Sequence, residues 1–278
     1  MVRDLYEGPK AAQMLSTLLT VMAIAPLLGP LAGAQVLALA GWRAIFLVLV
    51  AIGILTLASL ALLPDMLPPE RRSTEPIGRA FAGYPRLLAD PRLLAYIGTG
   101  GFFYAAMFAY LAGSPFAYIT YHHLPAKLYG LVFATGVVGL MAANLANARL
   151  VPRFGSDRLM RAGAAGAAAS GLAVALSAAT GWGGLAGLAV PIFFFLTAMG
   201  FIVANSIAGA LADHPERAGA ISALVGALQY GSGIVGSGLL GLLADGTPWP
   251  MGLLIALGGM GSFASTLLLK PHRSRAGR

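Results

Sequence analysis

The segment at residues 64–92 reads PDMLPPERRSTEPIGRAFAGYPRLLADPR and divides the chain. It contains five arginines and four acidic residues, whereas long apolar runs with almost no charge lie on both sides of it. Placing one arginine at the centre of a bilayer costs about 2.5–3.5 kcal/mol on insertion scales. The segment therefore lies in water or among lipid headgroups, and the apolar runs that flank it are candidates to cross a membrane.

The composition supports this interpretation. Of the 278 residues, 58% are hydrophobic and 10% are charged, whereas a soluble domain carries about 25% charged residues. The net charge of +8 comes from basic residues in short segments between apolar runs, which indicates membrane topology and not a nucleic-acid partner. The chain has no cysteine, which excludes disulfides and thiolate metal sites, and we expect no metal site.

The apolar runs predict an all-α polytopic transmembrane bundle, because a spanning helix needs about 20 apolar residues. The eight predicted spans are residues 14–39, 42–63, 93–119, 129–151, 159–180, 185–211, 218–244 and 249–269. When the spans alternate in direction, one side of the membrane collects 16 of the 18 lysines and arginines, and the other side holds only Arg43 and Lys127. This bias predicts that the arginine-rich side is cytoplasmic, together with the loop at residues 64–92 and both ends of the chain.

Several stretches resemble one family, and they occur in the family's order. They are VRDLYEGPKAAQMLS at 2–16, APLLGPLAG at 25–33, GWRAIF at 41–46, LPPERR at 67–72 and GFFYAAMFAYLAGSPFAYI at 101–119. The family is that of the bicyclomycin-resistance (Bcr/CflA) drug exporters of the major facilitator superfamily. The resemblance implies a bacterial inner-membrane antiporter that exchanges drugs for protons, with twelve helices in two six-helix halves.

In that family VRDLY follows the fourth helix, whereas it opens this chain. The resemblance therefore implies that the first four helices are absent. Residues 1–63 would be a two-span remnant of the N-terminal half, 64–92 the inter-domain loop, 93–269 a complete C-terminal half and 270–278 a cytoplasmic tail. We expect an N-terminally truncated multidrug efflux transporter. The alternatives are a non-transporting remnant, or a half-transporter that needs a partner half.

A membrane-embedded enzyme is a further alternative, and the adjacent His122 and His123 are its only hint. We expect no catalytic residues and no cofactor, with the proton gradient as the energy source of a full-length transporter. The expected partners are the lipid bilayer, a small amphipathic or aromatic drug-like substrate and the missing N-terminal half.

Two glycine patterns lie within predicted spans. Gly29, Pro30 and Gly33 resemble the antiporter motif of the family, in which the glycine-proline step kinks a helix, and the alternative is an ordinary proline kink. The GxGxxG pattern at residues 231–236 is typical of nucleotide-binding turns only when a strand precedes it. It lies in an apolar run, so we interpret it as helix packing.

The segment RLVPRFGSDR at residues 149–158 lies between two predicted spans. It resembles the superfamily's short cytoplasmic loop motif, which implies a latch between Asp157 and either Arg153 or Arg158. The alternative is that these arginines only set the topology of the chain.

Substrates of such transporters bind near mid-membrane between the halves. By that placement, the candidate cavity residues are Phe103, Tyr104, Met107, Phe108, Asn205, Gln229 and Tyr230. Aromatic rings and methionine suit flat, greasy or cationic cargo. The alternative for each residue is interhelical packing and hydrogen bonding.

The acidic residues and the histidines all fall in loops or at the ends of predicted spans. Proton coupling needs a group that titrates within the transport pathway. In the family, an acid in the first helix is the coupling group that the resemblance implies. We therefore hypothesise that this chain alone does not perform proton-coupled transport.

Overall fold

A computed structural model describes residues 32–33, 35–36, 39–62, 87–212 and 217–269. Within these residues the secondary structure is helical without strands, which confirms the all-α class. The chain divides into two compact units, Met1–Pro76 and Ile77–Arg278. Almost all of the first predicted span, most of the loop at 64–92 and the tail at 270–278 lie outside the described residues.

The described part of the first unit is dominated by helix α1, Trp42–Ala61. Gly41, with φ 76°, precedes it, and none of its residues is buried. After Arg43 the helix carries no charge, and apolar side chains lie on every face of it. At 20 residues it is about 30 Å long, which matches the hydrocarbon thickness of a bilayer.

The described part of the second unit contains six long helices. They are α2 (Pro91–Pro115), α3 (Ala126–Phe154), α4 (Ser156–Thr180), α5 (Gly184–Ala212), α6 (Ala218–Leu243) and α7 (Trp249–Thr266). Six helices of the described chain, α1 to α6, are long and apolar enough to cross a membrane. Helix α7 has 18 residues and is not among them, so the count of eight spans stays a prediction.

The polar segment ends where α2 begins, and the local chemistry explains the position. Asp90 caps the helix by accepting a hydrogen bond from the Arg92 backbone N–H at 2.8 Å, and Pro91 occupies the first turn, where no backbone donor is needed. At the other end Pro115 interrupts the α-helical ladder, and the chain continues as a π-helical turn, Phe116–Tyr121.

The junction between α3 and α4 is shorter than expected. The predicted spans left residues 152–158 as a loop, but α3 continues to Phe154 and α4 begins at Ser156. Only Gly155 lies outside the two helices, and its φ of 81° suits glycine. Arg153 and Asp157 consequently occupy the ends of two consecutive helices.

The second unit is built around α2, α4, α5 and α7. Helix α7 packs between α2 and α4, α5 packs against α4 and α2, α6 lies on α2, and α3 lies on α5. When α2 is exchanged with α5, α3 with α6 and α4 with α7, the list of these helix pairs in contact stays the same. Two sets of three helices, α2–α4 and α5–α7, therefore occupy equivalent positions in the contact pattern of the unit.

Adjacent glycines bring α7 close to both of its main neighbours. A Cβ atom on Gly258 would lie 2.7 Å from the carbonyl oxygen of Phe102 in α2, and one on Gly259 would lie 2.6 Å from that of Ala167 in α4. Small residues allow such backbone contacts. In lipid, where the hydrophobic effect does not drive helices together, this close packing stabilises their association. These contacts fix the position of α2, the helix that carries most of the candidate site.

Candidate functional site

Helices α2 and α6 contact each other along a line that we call the α2–α6 seam. Its residues are Gly100, Tyr104 and Phe108 on α2 and Gln229, Tyr230 and Gly233 on α6. The three α2 positions recur every four residues and so share one helix face. Both helices run in the same direction along the seam, since Gly100 meets Gln229, Tyr104 meets Tyr230 and Phe108 meets Gly233.

Gln229 occupies the point where three helices meet. Its side chain is only 3% exposed, and a Cβ on Gly100 would lie 2.7 Å from its Nε2 atom. Among the described residues this Nε2 atom has no hydrogen-bond partner. The Ser206 hydroxyl of α5 lies beside the same glycine but donates to the carbonyl oxygen of Val203 at 2.9 Å. The site thus holds a buried amide donor that the surrounding side chains leave unpaired.

An aromatic group lies next to this amide. The rings of Tyr104 and Tyr230 meet edge to face, with centroids 5.6 Å apart, and the Phe108 ring lies 6.3 Å from that of Tyr104. Tyr104 is buried, whereas Tyr230 is 65% exposed. The seam therefore offers aromatic surface that is accessible on the α6 side.

The other three candidate cavity residues lie elsewhere. Phe103 is fully buried and stacks on Phe195 of α5 with centroids 4.7 Å apart, and Met107 packs against the same core. Asn205 donates to Asn147 Oδ1 at 2.7 Å, which links α5 to α3. These contacts match the packing alternative, while the seam brings together Tyr104, Phe108, Gln229 and Tyr230. A binding role for any of the seven stays a prediction.

A pocket of about 490 Å³ lies where the seam reaches the end of the helices. Its lining comes from α2, α6, the turn after α6 and the start of α7: Ala112, Gly113, Phe116, Ser237, Leu240, Gly241, Ala244, Gly246, Thr247, Pro248, Pro250 and Met251. No charged side chain is among these residues. The sequence does not predict the pocket, because the end of α2 is distant in sequence from the turn between α6 and α7.

The predicted latch residues lie at the arginine-rich end of the unit, formed by the start of α2, the α3–α4 junction and the end of α7. Asp157 accepts a hydrogen bond from the Tyr96 hydroxyl at 2.8 Å. Arg153 and Arg158 are exposed, and within the described residues no ion pair joins either to Asp157. In this structure the carboxylate thus ties α4 to α2, and a latch with either arginine stays a prediction.

Arg161 makes a second tie at this end, one that the sequence analysis did not single out. Its Nη2 group donates to the carbonyl oxygens of Thr266, at 3.3 Å, and Leu269, at 3.1 Å, at the end of α7. A cation suits the carbonyl end of a helix. The sequence shows only that Arg161 is a basic residue in the first turn of a predicted span. Such a residue is equally typical of the charge bias that sets membrane topology.

The glycine patterns are only partly described. Gly29 and Pro30 lie outside the described residues. Gly33 is helical, and a Cβ there would meet no atom within 4 Å. The GxGxxG pattern lies inside α6, where Gly233 faces Phe108 and Gly236 faces the backbone of Ala105, as helix packing requires.

The histidine pair lies in the turn after the π-helical segment, between α2 and α3. Burial, which favours the neutral imidazole, and the neighbouring His123 together lower the pKa of His122. In the part of the chain that the structure describes, no three His, Cys, Asp or Glu side chains lie close enough to hold a metal ion.

The long apolar helices define a multi-pass membrane protein. The family model of the Major Facilitator Superfamily matches residues 1–237, and the chain belongs to this family. Its relatives include an uncharacterised MFS-type transporter, YdgK, of Bacillus subtilis, which is 31% identical over 92% of this chain and 64% of its own length.

Two further relatives carry the names of resistance proteins. A bicyclomycin resistance protein homolog of Haemophilus influenzae is 25% identical over 90% of this chain and 63% of its own length. A chloramphenicol resistance protein of Pseudomonas aeruginosa is 26% identical over 90% of this chain and 59% of its own length. The likeness to bicyclomycin-resistance exporters is thus confirmed, and the chain spans less than two thirds of the length of these relatives.

Proposed function

We propose that this chain acts in multidrug efflux, as part of a drug/proton antiporter of the bacterial inner membrane. It is a transporter protein and not an enzyme. Its substrates are small amphipathic or aromatic compounds that contact the α2–α6 seam. The arginine-rich end of the helices faces the cytoplasm, and so do both ends of the chain.

The observation that carries the proposal is the aromatic group of the seam, set beside a buried amide donor. Tyr104, Phe108 and Tyr230 provide a surface for flat rings, and Gln229 provides a directed polar contact. Ligand sites in proteins combine these features, a mostly apolar lining with a few placed polar groups. The names of the relatives, which refer to resistance against bicyclomycin and chloramphenicol, support drugs as the cargo.

The first experiment measures chloramphenicol binding to the purified chain in lipid nanodiscs, together with drug resistance in a bacterium that lacks its main efflux pumps. Tyr230→Ala removes the exposed ring of the seam. Phe194→Ala, which removes a similarly exposed ring from α5, is the matched control. We expect Tyr230→Ala to weaken binding about threefold to tenfold, and Phe194→Ala to leave it unchanged.

Binding together with resistance supports an exporter that is active as this chain. Binding without resistance supports the half-transporter alternative, in which an N-terminal half must be supplied as a second polypeptide to restore efflux. Absence of both binding and resistance, in cells where the chain is found in the membrane, would show that the proposal is wrong.

Proton coupling is the second part of the proposal. The described acids lie at helix ends or in turns: Asp90 caps α2, Asp157 is in the first turn of α4 and Asp245 follows α6. We therefore infer that the described helices do not supply the coupling group. Liposomes that contain only this chain should show no drug-dependent proton flux by a pH-sensitive dye, and such flux would contradict the inference.

A further inference from the structure

The amide of Gln229 is buried in the middle of a membrane helix without a hydrogen-bond partner for its Nε2 atom. A buried donor that water cannot reach is costly, so such groups are normally paired. The Ser206 hydroxyl, which donates to the backbone of its own helix, could accept from an amide, but no hydrogen bond joins it to Gln229. The missing partner is therefore an acceptor.

The position of the amide indicates what could bring this acceptor. One helical turn beyond Gly100 along α2, Tyr104 meets Tyr230, so an acceptor that reaches Gln229 would be attached to a group lying on aromatic rings. The charged side chains of the described helices in this unit lie near the helix ends, at a distance from this site. A cation at the seam would find no carboxylate there among the described residues.

We propose that Gln229 donates a hydrogen bond to an acceptor oxygen of the substrate, and that the seam thereby selects uncharged aromatic compounds over permanent cations. This inference rests on the proposed efflux function and names its substrate class. Gln229 is the specificity-determining residue, and the Tyr104–Tyr230 pair holds the aromatic part of the same molecule.

Access to the amide requires that α6 separate from α2. In the described arrangement Gly100 lies directly against Gln229, and this glycine leaves only enough room for the amide. The Tyr230 side of the seam is exposed, so separation begins there. A bound acceptor would pair the amide in the open arrangement, which makes opening and substrate binding mutually favourable.

The test compares two aromatic probes, uncharged chloramphenicol and the cation ethidium, for binding to the chain in nanodiscs. Gln229→Met keeps the length and approximate volume of the side chain but removes the amide donor. We expect this variant to bind chloramphenicol about tenfold more weakly and ethidium unchanged, since one hydrogen bond is lost. Gln229→Glu should bind ethidium more tightly and chloramphenicol more weakly, because it places an acceptor and a negative charge at the seam.

Two results would overturn the inference. If both variants fold, by thermal unfolding, and keep the wild-type ratio of the two affinities, Gln229 only packs. If wild-type chain binds ethidium more tightly than chloramphenicol, the seam does not select uncharged compounds. Failure of the wild-type chain to bind either probe is a different result, because it removes the proposed efflux function itself and this inference with it.

Discussion

The hydrogen bond between Tyr96 and Asp157 joins the start of α2 to the start of α4. Tyr96→Phe removes the hydroxyl but keeps the ring, which packs on Gly209 of α5. Because a half-buried carboxylate loses its donor, we expect the free energy of unfolding to fall by about 1–2 kcal/mol. Unfolding in detergent with increasing dodecyl sulfate, followed by circular dichroism, measures this loss.

The control for this prediction is Tyr121→Phe, because Tyr121 is 46% exposed and lies outside the α-helices. It should leave the unfolding curve unchanged. Equal effects of the two substitutions would mean that the hydroxyl of Tyr96 contributes nothing specific at this end of the unit.

His122 should titrate below the pH at which an unfolded histidine does, because burial and His123 lower its pKa. The folded chain then binds fewer protons than the unfolded chain, so stability decreases as the pH falls through the unfolded pKa and levels off below the folded one. His123→Gln removes the repulsion between the rings and should raise the pKa of His122. NMR titration of labelled histidine compares the midpoint of His122 in the two proteins, and an unchanged midpoint in the variant would show that His123 does not contribute to the shift.

Asp157 shows what can be predicted for a single residue from its type and its position in the sequence. The apolar pattern predicts that this acid lies between two spans, and the structure places it in the first turn of α4. Its partner, Tyr96, is 61 positions away, and the pairing depends on the rotation of two helices about their axes. Local pattern carries no information on that rotation, and the resemblance to the superfamily's loop motif implies the nearby Arg153 or Arg158 as the partner instead.

Helix α7 contacts the backbone of its neighbours closely through its glycines. Gly259→Ala would place a Cβ 2.6 Å from the carbonyl oxygen of Ala167, so α7 and α4 must move apart. We expect a loss of about 1–3 kcal/mol in the free energy of unfolding. Gly238→Ala in α6 is the control, since its Cβ would meet no atom within 4 Å and alanine favours a helix by about 1 kcal/mol. A stable Gly259→Ala variant would mean that this contact does not hold α7 in place.

The sequence predicts which segments are helical more directly than it predicts where each helix begins and ends. Apolar length predicts α2, and its first residues follow from Asp90 and Pro91, which are typical of a helix start. The helices continue into residues 152–158, between the predicted spans, because Pro152 is tolerated near the end of α3 and a single glycine turns the chain. The π-helical turn after Pro115 was not predicted, since proline only indicates an interruption and not its geometry.

At the scale of the whole second unit, the candidate site depends on which helices are neighbours. Gln229 and Gly100 are far apart in sequence, and they meet because α6 lies on α2. By the same packing Asn205 faces Asn147 of α3, although it is a buried polar residue of a predicted span, as Gln229 is. Residue type therefore does not distinguish these two residues, and helix pairing places Gln229 at the seam and Asn205 in a link between α5 and α3.

The orientation of the bundle is the last prediction, and the lack of cysteine makes it directly testable. Ser156→Cys places one thiol at the α3–α4 junction, and Ala244→Cys places one after α6, at the opposite end of the helices. Because arginines stay on the cytoplasmic side, a membrane-impermeant maleimide should label Ala244→Cys in intact cells and Ser156→Cys only after permeabilisation. The unmodified chain should not react under either condition. Labelling of Ser156→Cys in intact cells, with protection of Ala244→Cys, would reverse the orientation and place the pocket near Met251 on the cytoplasmic side.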